Sequence, residues 1–229
     1  MKNLIIIGTG PNARQACEFV QQYNLYNVIG FAVNASYLHE ESFCGLPVFC
    51  LENLKNKADV EFEVFVGLIW NRLNRDRRNL FEFCDNQGLK FASLISPHAI
   101  ISKSASLGRN CWVHDFAIVQ NRSQIGDDVV IRQYSMVAAN CTIGSHCFFG
   151  VRSVVAGGCT VGEQSFVGIG ATVFDATIVG RKCIVGACSV VKRNLPDFSK
   201  ISVPTGDMVF KQYSEDEVES KLIHTKNVR

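Results

Sequence analysis

The 229-residue sequence lacks the features that mark several large classes of protein. No apolar run approaches the length of a membrane span, so membrane insertion is not expected. The formal net charge is only +2, which gives no reason to expect nucleic acid or an anionic membrane surface as a partner. The opening MKNLIIIGTG lacks the cleavage pattern of a signal peptide and reads as a buried strand. We therefore expect a cytoplasmic location.

The ten cysteines include no CxxC pair, the spacing on which many zinc and redox sites depend. Without a secretion signal, disulfides are not expected either. Half of the cysteines occupy one position of a repeat, where a small buried side chain is needed. The sequence therefore predicts reduced thiols and no metal site.

What the sequence does contain is a six-residue repeat. Residues 101–190 divide into fifteen consecutive hexapeptides with none left over. The first position is always Ile, Leu, Val or Phe, and the fifth is nearly always Ala, Ser or Cys. A fixed short period of this kind indicates a parallel β-helix.

The period predicts how the repeats stack. Three hexapeptides form one triangular coil, so equivalent residues lie above one another every eighteen positions. The first and fifth positions should face the interior, while Gly and Asn near the corners should adopt the positive φ of tight turns. The cysteines expected inside are Cys111, Cys141, Cys147, Cys159 and Cys183.

The first hundred residues predict a small α/β domain with a parallel sheet. Predicted strands cover 4–7, 27–33, 63–69 and 91–95. Three helices are predicted, one that follows the first strand and ends near 23 and two that cover 51–57 and 74–87. Ser96-Pro97 marks a boundary. The expected domains are 1–97, a β-helix at 98–204 and a charged tail at 205–229.

A glycine loop follows the first strand and opens the first helix. The segment GTGPNA, residues 8–13, fits the G-x-G-x-x-A dinucleotide fingerprint. Asn34 stands where an acidic residue should close the second strand to hold a ribose, so a full NAD site is disfavoured. The loop can still approach a phosphate or a sugar closely. Alternatively, its glycines only permit tight packing of strand and helix.

Four segments together make the chain resemble a known family. They are GTGPNA, WNRLNR at 70–75, ISPHAIIS at 95–102 and the hexapeptides. The chain resembles the sugar O-/N-acyltransferases related to sialic acid O-acetyltransferase and to the bacillosamine-pathway N-acetyltransferase. The resemblance implies a Rossmann-like domain followed by a left-handed β-helix. It also implies acetyl-CoA as donor, a nucleotide-linked amino sugar as acceptor, and a homotrimer with active sites between subunits.

The resemblance further implies two sets of binding residues. The nucleotide-sugar set is Gly8, Gly10, Asn12, Asn34, Asn71 and Arg75. The acyl-donor set is Ala156, Gly157, Gly158, Gly186, Ala187, Val203 and Pro204. Two alternatives stay open, since Arg75 also suits a solvated charge at a helix start and the glycines also suit ordinary corners.

The sequence departs from this family at the general base. When the following Ile-Gly pair is matched, the family's histidine falls on Ala139 and its neighbour on Asn140. Alanine cannot accept a proton, so the usual mechanism is not open to this chain. Stacking by eighteen places Asn121 and Gly157 beside Ala139. Asn140 and Asn121 are therefore the predicted catalytic residues, which would orient the reacting group by hydrogen bonds.

Two histidines remain within the repeats, His114 and His146. Stacking places them on the two other faces of the prism, so they could reach the site only from a neighbouring subunit. We expect both to be surface histidines. They also make a poor metal set, which counts against a γ-type carbonic anhydrase despite the similar β-helix.

The leading hypothesis is an acetyl-CoA-dependent N-acetyltransferase for surface polysaccharide or glycan biosynthesis. An amine near an electron-withdrawing ring has a pKa of roughly 8, so part of it is already the free nucleophile at neutral pH. A sugar hydroxyl needs a base as it attacks. The alternatives are a non-catalytic trimeric binding or scaffold protein that has lost the base, and a sugar O-acetyltransferase.

Overall fold

The computed structural model describes residues 1–57 and 60–203. It confirms the predicted architecture, a Rossmann-like α/β unit followed by a left-handed parallel β-helix. Pro204 and the tail predicted at 205–229 lie outside the described residues. In the part of the chain that the structure describes, no helix is long and apolar enough to cross a membrane.

The α/β unit is built on a five-stranded sheet with strand order β3-β4-β2-β1-β5. Its strands are β1 (Asn3–Ile7), β2 (Asn27–Val33), β3 (Ser42–Phe43), β4 (Leu46–Cys50) and β5 (Phe62–Val66). Its helices are α1 (Pro11–Tyr23), α2 (Leu54–Lys57) and α3 (Asn71–Asn86), with 3₁₀ turns at Ala35–Tyr37 and Leu51–Asn53. All pairings are parallel except the β3–β4 hairpin.

Strand β1 lies at the centre of this unit because both of its faces are covered. Leu4 and Ile6 pack with buried residues of α1, while Ile5 and Ile7 pack with Phe81 and other residues of α3. Strands buried on both faces are continuous apolar runs rather than alternating ones. The sequence LIII at 4–7 is such a run.

Two predicted strands end differently from expectation. The strand predicted at 63–69 stops at Val66, because the chain then turns into a loop and an irregular first turn of α3. In the strand predicted at 91–95, Phe91 makes a single bridge to Val64. The following Leu94–Ile95 instead pairs with Trp112–Val113 and begins the β-helix.

The β-helix has three faces of short parallel strands. Face 1 contains β7 (Ile100–Ile101), β10 (Ile118–Val119), β13 (Met136–Val137), β16 (Val154–Val155), β19 (Thr172–Val173) and β22 (Val190–Val191). Face 2 contains β8 (Ser106–Leu107), β11 (Gln124–Ile125), β14 (Thr142–Ile143), β17 (Thr160–Val161) and β20 (Ile178–Val179). Face 3 contains β6 (Leu94–Ile95), β9 (Trp112–Val113), β12 (Val130–Ile131), β15 (Phe148–Phe149), β18 (Phe166–Val167), β21 (Ile184–Val185) and β23 (Lys200–Ile201).

The strand register confirms the eighteen-residue stacking. Met136 pairs with Ile118 in the preceding coil and with Val154 in the following one. The apolar first positions and small fifth positions form one continuous core. The cysteines predicted there are buried and reduced. Burial raises the pKa of the Cys111 and Cys147 thiols to about 12, so neither is a reactive thiolate.

The predicted positive φ at the corners is confirmed for Asn110, Asn140, Gly158 and Gly170, whereas the glycines at the second position of the repeat serve a different purpose. Positive φ belongs to the fourth residue of the repeat, whatever its type, as at Phe116 and Tyr134. The glycine at the second position is needed because adjacent coils approach closely. A Cβ on Gly162 would lie 2.4 Å from the backbone N of Arg181 in the next coil.

The two domains meet across face 3. Trp112 is fully buried and its ring packs edge-on against Phe65 of β5, at 5.5 Å between centroids, and against Phe19 of α1, at 6.0 Å. His114 lies next to this cluster, stacked on Trp112 at 4.5 Å and 1% exposed. Burial, followed by the nearby Arg132, lowers the pKa of His114 to about 2.

His114 should therefore make folding stability depend on pH. An unfolded histidine has a pKa near 6.5. Between about pH 6.5 and pH 2 the unfolded chain therefore binds a proton that the folded chain does not, so the free energy of unfolding falls as pH falls. From pH 6.5 to 4.5, the free energy of unfolding of the wild type should drop about 2–3 kcal/mol more than that of His114→Gln. Urea denaturation measures this difference.

His98→Gln is the matched control, since His98 is exposed on the same side of the β-helix. It should retain the wild-type pH dependence. Parallel pH profiles for wild type and His114→Gln would contradict the prediction.

Candidate functional site

A cavity of about 570 Å³ lies at the C-terminal ends of β1, β2 and β5. Ligands of open α/β sheets bind at this edge. Five of the six predicted nucleotide-sugar residues line it, namely Gly8, Gly10, Asn12, Asn34 and Asn71. Arg75 does not, and it is exposed on α3. The structure thus brings together residues from three separate loops.

The two loop glycines have different roles. Gly8 has φ of +112°, and a Cβ there would lie 2.8 Å from Leu68 Cδ1, so the backbone itself requires glycine. A Cβ on Gly10 would meet nothing within 4 Å. Gly10 caps the N-terminus of α1, with Pro11 as the first helical residue and no side-chain cap. The open space and the N-terminal N–H groups suit a phosphate.

The end of β2 does have a carboxylate nearby, from a residue that sequence reasoning missed. Glu52, in the turn after β4, accepts hydrogen bonds from Asn34 Nδ2 at 3.2 Å and from the Ala35 N–H at 3.0 Å. A bond from the Cys50 thiol is the main cause that holds the pKa of Glu52 below its ordinary value. Glu52 is eighteen residues from Asn34 in the sequence, so a motif search does not detect this pairing.

Tyr37 is the second residue that sequence reasoning missed. It lines the cavity yet is 69% exposed. On the opposite wall, Asp76 and Asn79 of α3 take the positions expected of Arg75. Among the described residues, the lining contains no Lys or Arg. Any anion in the cavity would therefore be held by the helix N-terminus and amide groups.

The second predicted site lies on the edge between faces 1 and 2, called the 1–2 edge. Asn140 donates its backbone N–H to Asn121 O at 2.9 Å, and Gly158 donates to Ala139 O at 2.9 Å. These bonds confirm the predicted stacking neighbours. Asn140 Oδ1 also accepts from Arg122 Nε at 2.8 Å. Ala139 is partly exposed, and its N–H donates to Gln120 Oε1 at 3.1 Å.

Gly157 lies one coil beyond Ala139 on the same edge. Its N–H donates to Asp175 Oδ1 at 2.9 Å. A Cβ at Gly157 would make only ordinary contacts, 3.4 Å to Asp175 Oδ1 and 3.6 Å to Ala139 O. The fold therefore does not require glycine at this position, unlike at Gly162.

The other acyl-donor residues are spread over two edges. Ala156 and Gly158 flank Gly157 on the 1–2 edge, whereas Gly186 and Ala187 follow β21 on the edge between faces 3 and 1. Val203 is 47% exposed beyond β23. Pro204 lies outside the described residues. The two glycine stretches therefore border face 1 on opposite sides.

A single chain does not join the cavity to the 1–2 edge. Every residue that lines the cavity comes from the α/β unit. Asn121 and Asn140 lie on the β-helix, and among the described residues their side chains bond to Ser102 and Arg122 of the preceding coil. The two halves of the predicted site are thus separate within one chain.

Both repeat histidines are buried, so the prediction that they lie on the surface is wrong. His114 is held against Trp112 and Arg132 Nη1. His146 is 6% exposed and its Nδ1 lies 2.8 Å from Asp128 Oδ2. Apolar packing at the domain junction explains both, and hexapeptide spacing carries no information about that junction. Within the described residues, no cluster of His, Cys, Asp or Glu could hold a metal ion.

A β-helix with an open edge and a separate nucleotide-type cavity is the arrangement expected of a hexapeptide-repeat acyltransferase. A family model described as bacterial transferase hexapeptide (six repeats) matches residues 122–157. Comparison with curated proteins gives no match.

Solved structures extend the likeness to nearly the whole chain. PerB from Caulobacter crescentus, in complex with CoA and GDP-perosamine, has a TM-score of 0.78 at 30% identity, covering 89% of this chain and 96% of that one. A histidine-to-alanine variant of the GDP-perosamine N-acetyltransferase from Caulobacter crescentus, with the same ligands, has a TM-score of 0.78 at 31% identity. The match covers 90% of this chain and 98% of that one. The acetyltransferase domain of PglB from Neisseria gonorrhoeae, with acetyl coenzyme A, has a TM-score of 0.77 at 26% identity. The match covers 88% of this chain and 96% of that one. The chain belongs to the hexapeptide-repeat sugar N-acetyltransferases.

The sterics of two glycines give a test of the donor site. Gly157→Ala should leave the melting temperature unchanged but raise the dissociation constant of acetyl-CoA about tenfold, because the methyl group occupies space at the edge and not in the fold. Gly162→Ala should cost about 1–3 kcal/mol of stability through overpacking. Calorimetry and thermal unfolding measure the two effects. Unchanged acetyl-CoA affinity in Gly157→Ala would remove that glycine from the site.

Proposed function

We propose that this protein transfers the acetyl group of acetyl-CoA to the amine of a nucleotide-linked amino sugar for surface polysaccharide or glycan biosynthesis. The observation that carries the proposal is the cavity at the glycine loop, combined with a β-helix edge that offers amides and has Ala139 at the place of the family's histidine. The relative PerB holds CoA and GDP-perosamine, an amino sugar linked to a nucleotide.

The lining of the cavity suits the parts of a nucleotide-sugar. The diphosphate is placed at the N-terminus of α1, where Gly10 leaves room. We place Asn34 at the ribose hydroxyls, with Glu52 behind it, since Glu52 lies outside the cavity lining and accepts from Asn34 Nδ2 at 3.2 Å. Tyr37 offers an exposed ring on which a base can stack. This arrangement leaves the sugar directed out of the cavity.

The absent histidine favours an amine over a hydroxyl as acceptor. An amine with a pKa of roughly 8 attacks the thioester carbonyl without prior deprotonation of a hydroxyl. Base catalysis is worth about 100- to 10,000-fold, a loss that positioning can offset. The amine then loses its proton to solvent, and the CoA thiolate leaves and is protonated. Histidine-to-alanine GDP-perosamine N-acetyltransferase was still crystallised with CoA and GDP-perosamine, so loss of a histidine is compatible with binding both ligands.

Asn140 and Asn121 are proposed to orient the amine from the 1–2 edge. Arg122 Nε already occupies Asn140 Oδ1, which directs the amide group and holds it in place. Backbone N–H groups of the edge are proposed to stabilise the tetrahedral oxyanion. The Gly157 N–H can do so only after Asp175 releases it.

A homotrimer is proposed to bring the cavity and the 1–2 edge together. The outward side chains of face 1 are mostly apolar: Ile100, Ile118, Met136, Val154, Thr172 and Val190. Ile100 is 62% exposed and Val190 46%. Face 3 is covered by the α/β unit, and the outward residues of face 2 are mostly polar. This apolar face borders both edges that carry the predicted donor residues. We propose that two further copies of this chain cover it.

A non-catalytic binding protein is the second candidate. The observation that favours it is that neither repeat histidine lies at Ala139, since His114 and His146 are both buried elsewhere, and that the Asp175 carboxylate on this edge is bonded to the Gly157 N–H. Under this alternative the cavity would bind the nucleotide-sugar without turnover.

Thiol release from acetyl-CoA separates the two candidates. Amino sugars linked to UDP, dTDP and GDP form the panel, with matched hydroxyl sugars as controls. We expect turnover with at least one amine and none with the hydroxyl sugars. Asn140→Ala should lower kcat more than tenfold, and its melting temperature is measured alongside, because Asn140 has φ of +59° and alanine is less favourable than asparagine there. Sugar binding with no turnover of any amine would favour the binding protein.

Assembly has its own test. Ile118→Glu places a charge at the centre of face 1 and should yield a monomer by light scattering, with transferase activity lost although the α/β cavity still binds nucleotide-sugar. Thr142→Glu, an exposed residue at the same strand position on face 2, should remain a trimer. A wild-type monomer with full activity would contradict the proposed assembly.

A further inference from the structure

Four polar residues stack on the edge between faces 2 and 3. They are the fourth residues of successive coils, and this set is called the polar column: Asn110, Asp128, His146 and Gln164. Their exposed fractions are 0%, 0%, 6% and 6%. The same repeat position is open to solvent elsewhere, with Tyr134 55% exposed. Burial of four consecutive polar corners calls for a reason, because such groups are buried only where they are bonded.

The column bonds to the chain that follows β5. The Val66 N–H donates to Asn110 Oδ1 at 2.9 Å. Arg77 of α3, fully buried, lies with Nε 2.6 Å from Asp128 Oδ1 and donates to Asn110 O at 2.7 Å. The same guanidinium donates to Val66 O and, at 2.7 Å, to Leu68 O. The Arg77 guanidinium therefore donates hydrogen bonds to the carbonyls of the residues on either side of Gly67.

The next turn of chain is left-handed and is held by the same column. Its residues with φ between +44° and +59° are Trp70, Arg72, Leu73 and Asn74. Asn74, 2% exposed, accepts from the Trp70 N–H at 2.6 Å and donates to His146 O at 2.9 Å. Gln164 Nε2 donates to Leu73 O at 3.0 Å. Such a turn is unfavourable for non-glycine residues and persists only where its surroundings hold it.

This stretch, Val66 to Asn74, is called the wall segment, because Gly67, Leu68 and Asn71 of it line the cavity. Asn74 and Gln164 do not line the cavity. Asn71 lies between Trp70 and Arg72 of the left-handed turn that these bonds hold.

We propose that the polar column positions the wall segment for nucleotide-sugar binding, with Gln164 and Asn74 as positioning residues. The proposal rests on the proposed function for the identity of the ligand. The β-helix would then shape the acceptor site of its own chain as well as carry the donor site. Without the column, the left-handed turn relaxes to an ordinary one and withdraws Asn71 from the cavity.

The test compares Gln164→Glu and Gln164→Met with wild type. Both remove the donor to Leu73 O, and the glutamate keeps an acceptor for Arg78, which bonds Gln164 Oε1 at 3.0 Å. Lys182→Met is the matched control, at the next position of the same edge and exposed. Melting temperatures establish that each variant folds.

Two measurements follow. Hydrogen exchange of the wall segment should become faster in both Gln164 variants and stay unchanged in Lys182→Met. The KM of the nucleotide-sugar should rise about tenfold, while the KM of acetyl-CoA stays within about twofold. A purely structural role would move both KM values together or neither.

Unchanged exchange in folded Gln164 variants would overturn the proposal. So would faster exchange with an unchanged KM for the nucleotide-sugar. If the wild type binds no nucleotide-sugar, the proposed function fails, and hydrogen exchange then still decides whether the column holds the segment.

Discussion

The close stacking of one coil on the next is the constraint on which the rest of this structure depends. Each coil presents its backbone N–H groups to the carbonyls of the coil above, so a residue and its copy eighteen positions later lie in contact. At Gly162 the coils approach so closely that no Cβ fits. Every edge of the prism is therefore a column of stacked side chains, and the character of a column can change along its length, as where the buried polar column gives way to the exposed Lys182.

The edges and faces of the β-helix have different surroundings and different roles. The column with Asn121, Ala139 and Gly157 is partly exposed, and we propose that its amides orient the reacting group. The column with Asp128 and His146 is buried against the α/β unit and holds the wall of its cavity. Face 3 carries that unit, and face 1 remains apolar and uncovered in a single chain. The proposed trimer brings the donor edge of one rigid β-helix to the acceptor cavity of another chain, so accuracy of placement can offset the missing base.

The periodic part of the fold was predictable from sequence because its information is local. An aliphatic first position and a small fifth position recur every six residues, and each repeat meets only its neighbours. The glycine loop was predictable for the same reason, and Gly8, Gly10, Asn12, Asn34 and Asn71 do line one cavity. Glu52 was not predictable, because its contact with Asn34 arises from the turn after a neighbouring strand. His114 and His146 looked like surface residues because nothing in the repeat shows which edge the other domain covers.

By itself, the sequence determined the β-helix, the stacking partners of Ala139 and the absence of a histidine base there. These follow from period and residue type, which need no long-range contact. The tertiary structure alone decided that the polar column is buried and that a left-handed turn at Trp70–Asn74 shapes the cavity. It also decided that the cavity and the 1–2 edge lie apart in one chain. These depend on how two independently patterned domains pack against each other, and that packing is set by contacts between residues as far apart as Asn74 and His146.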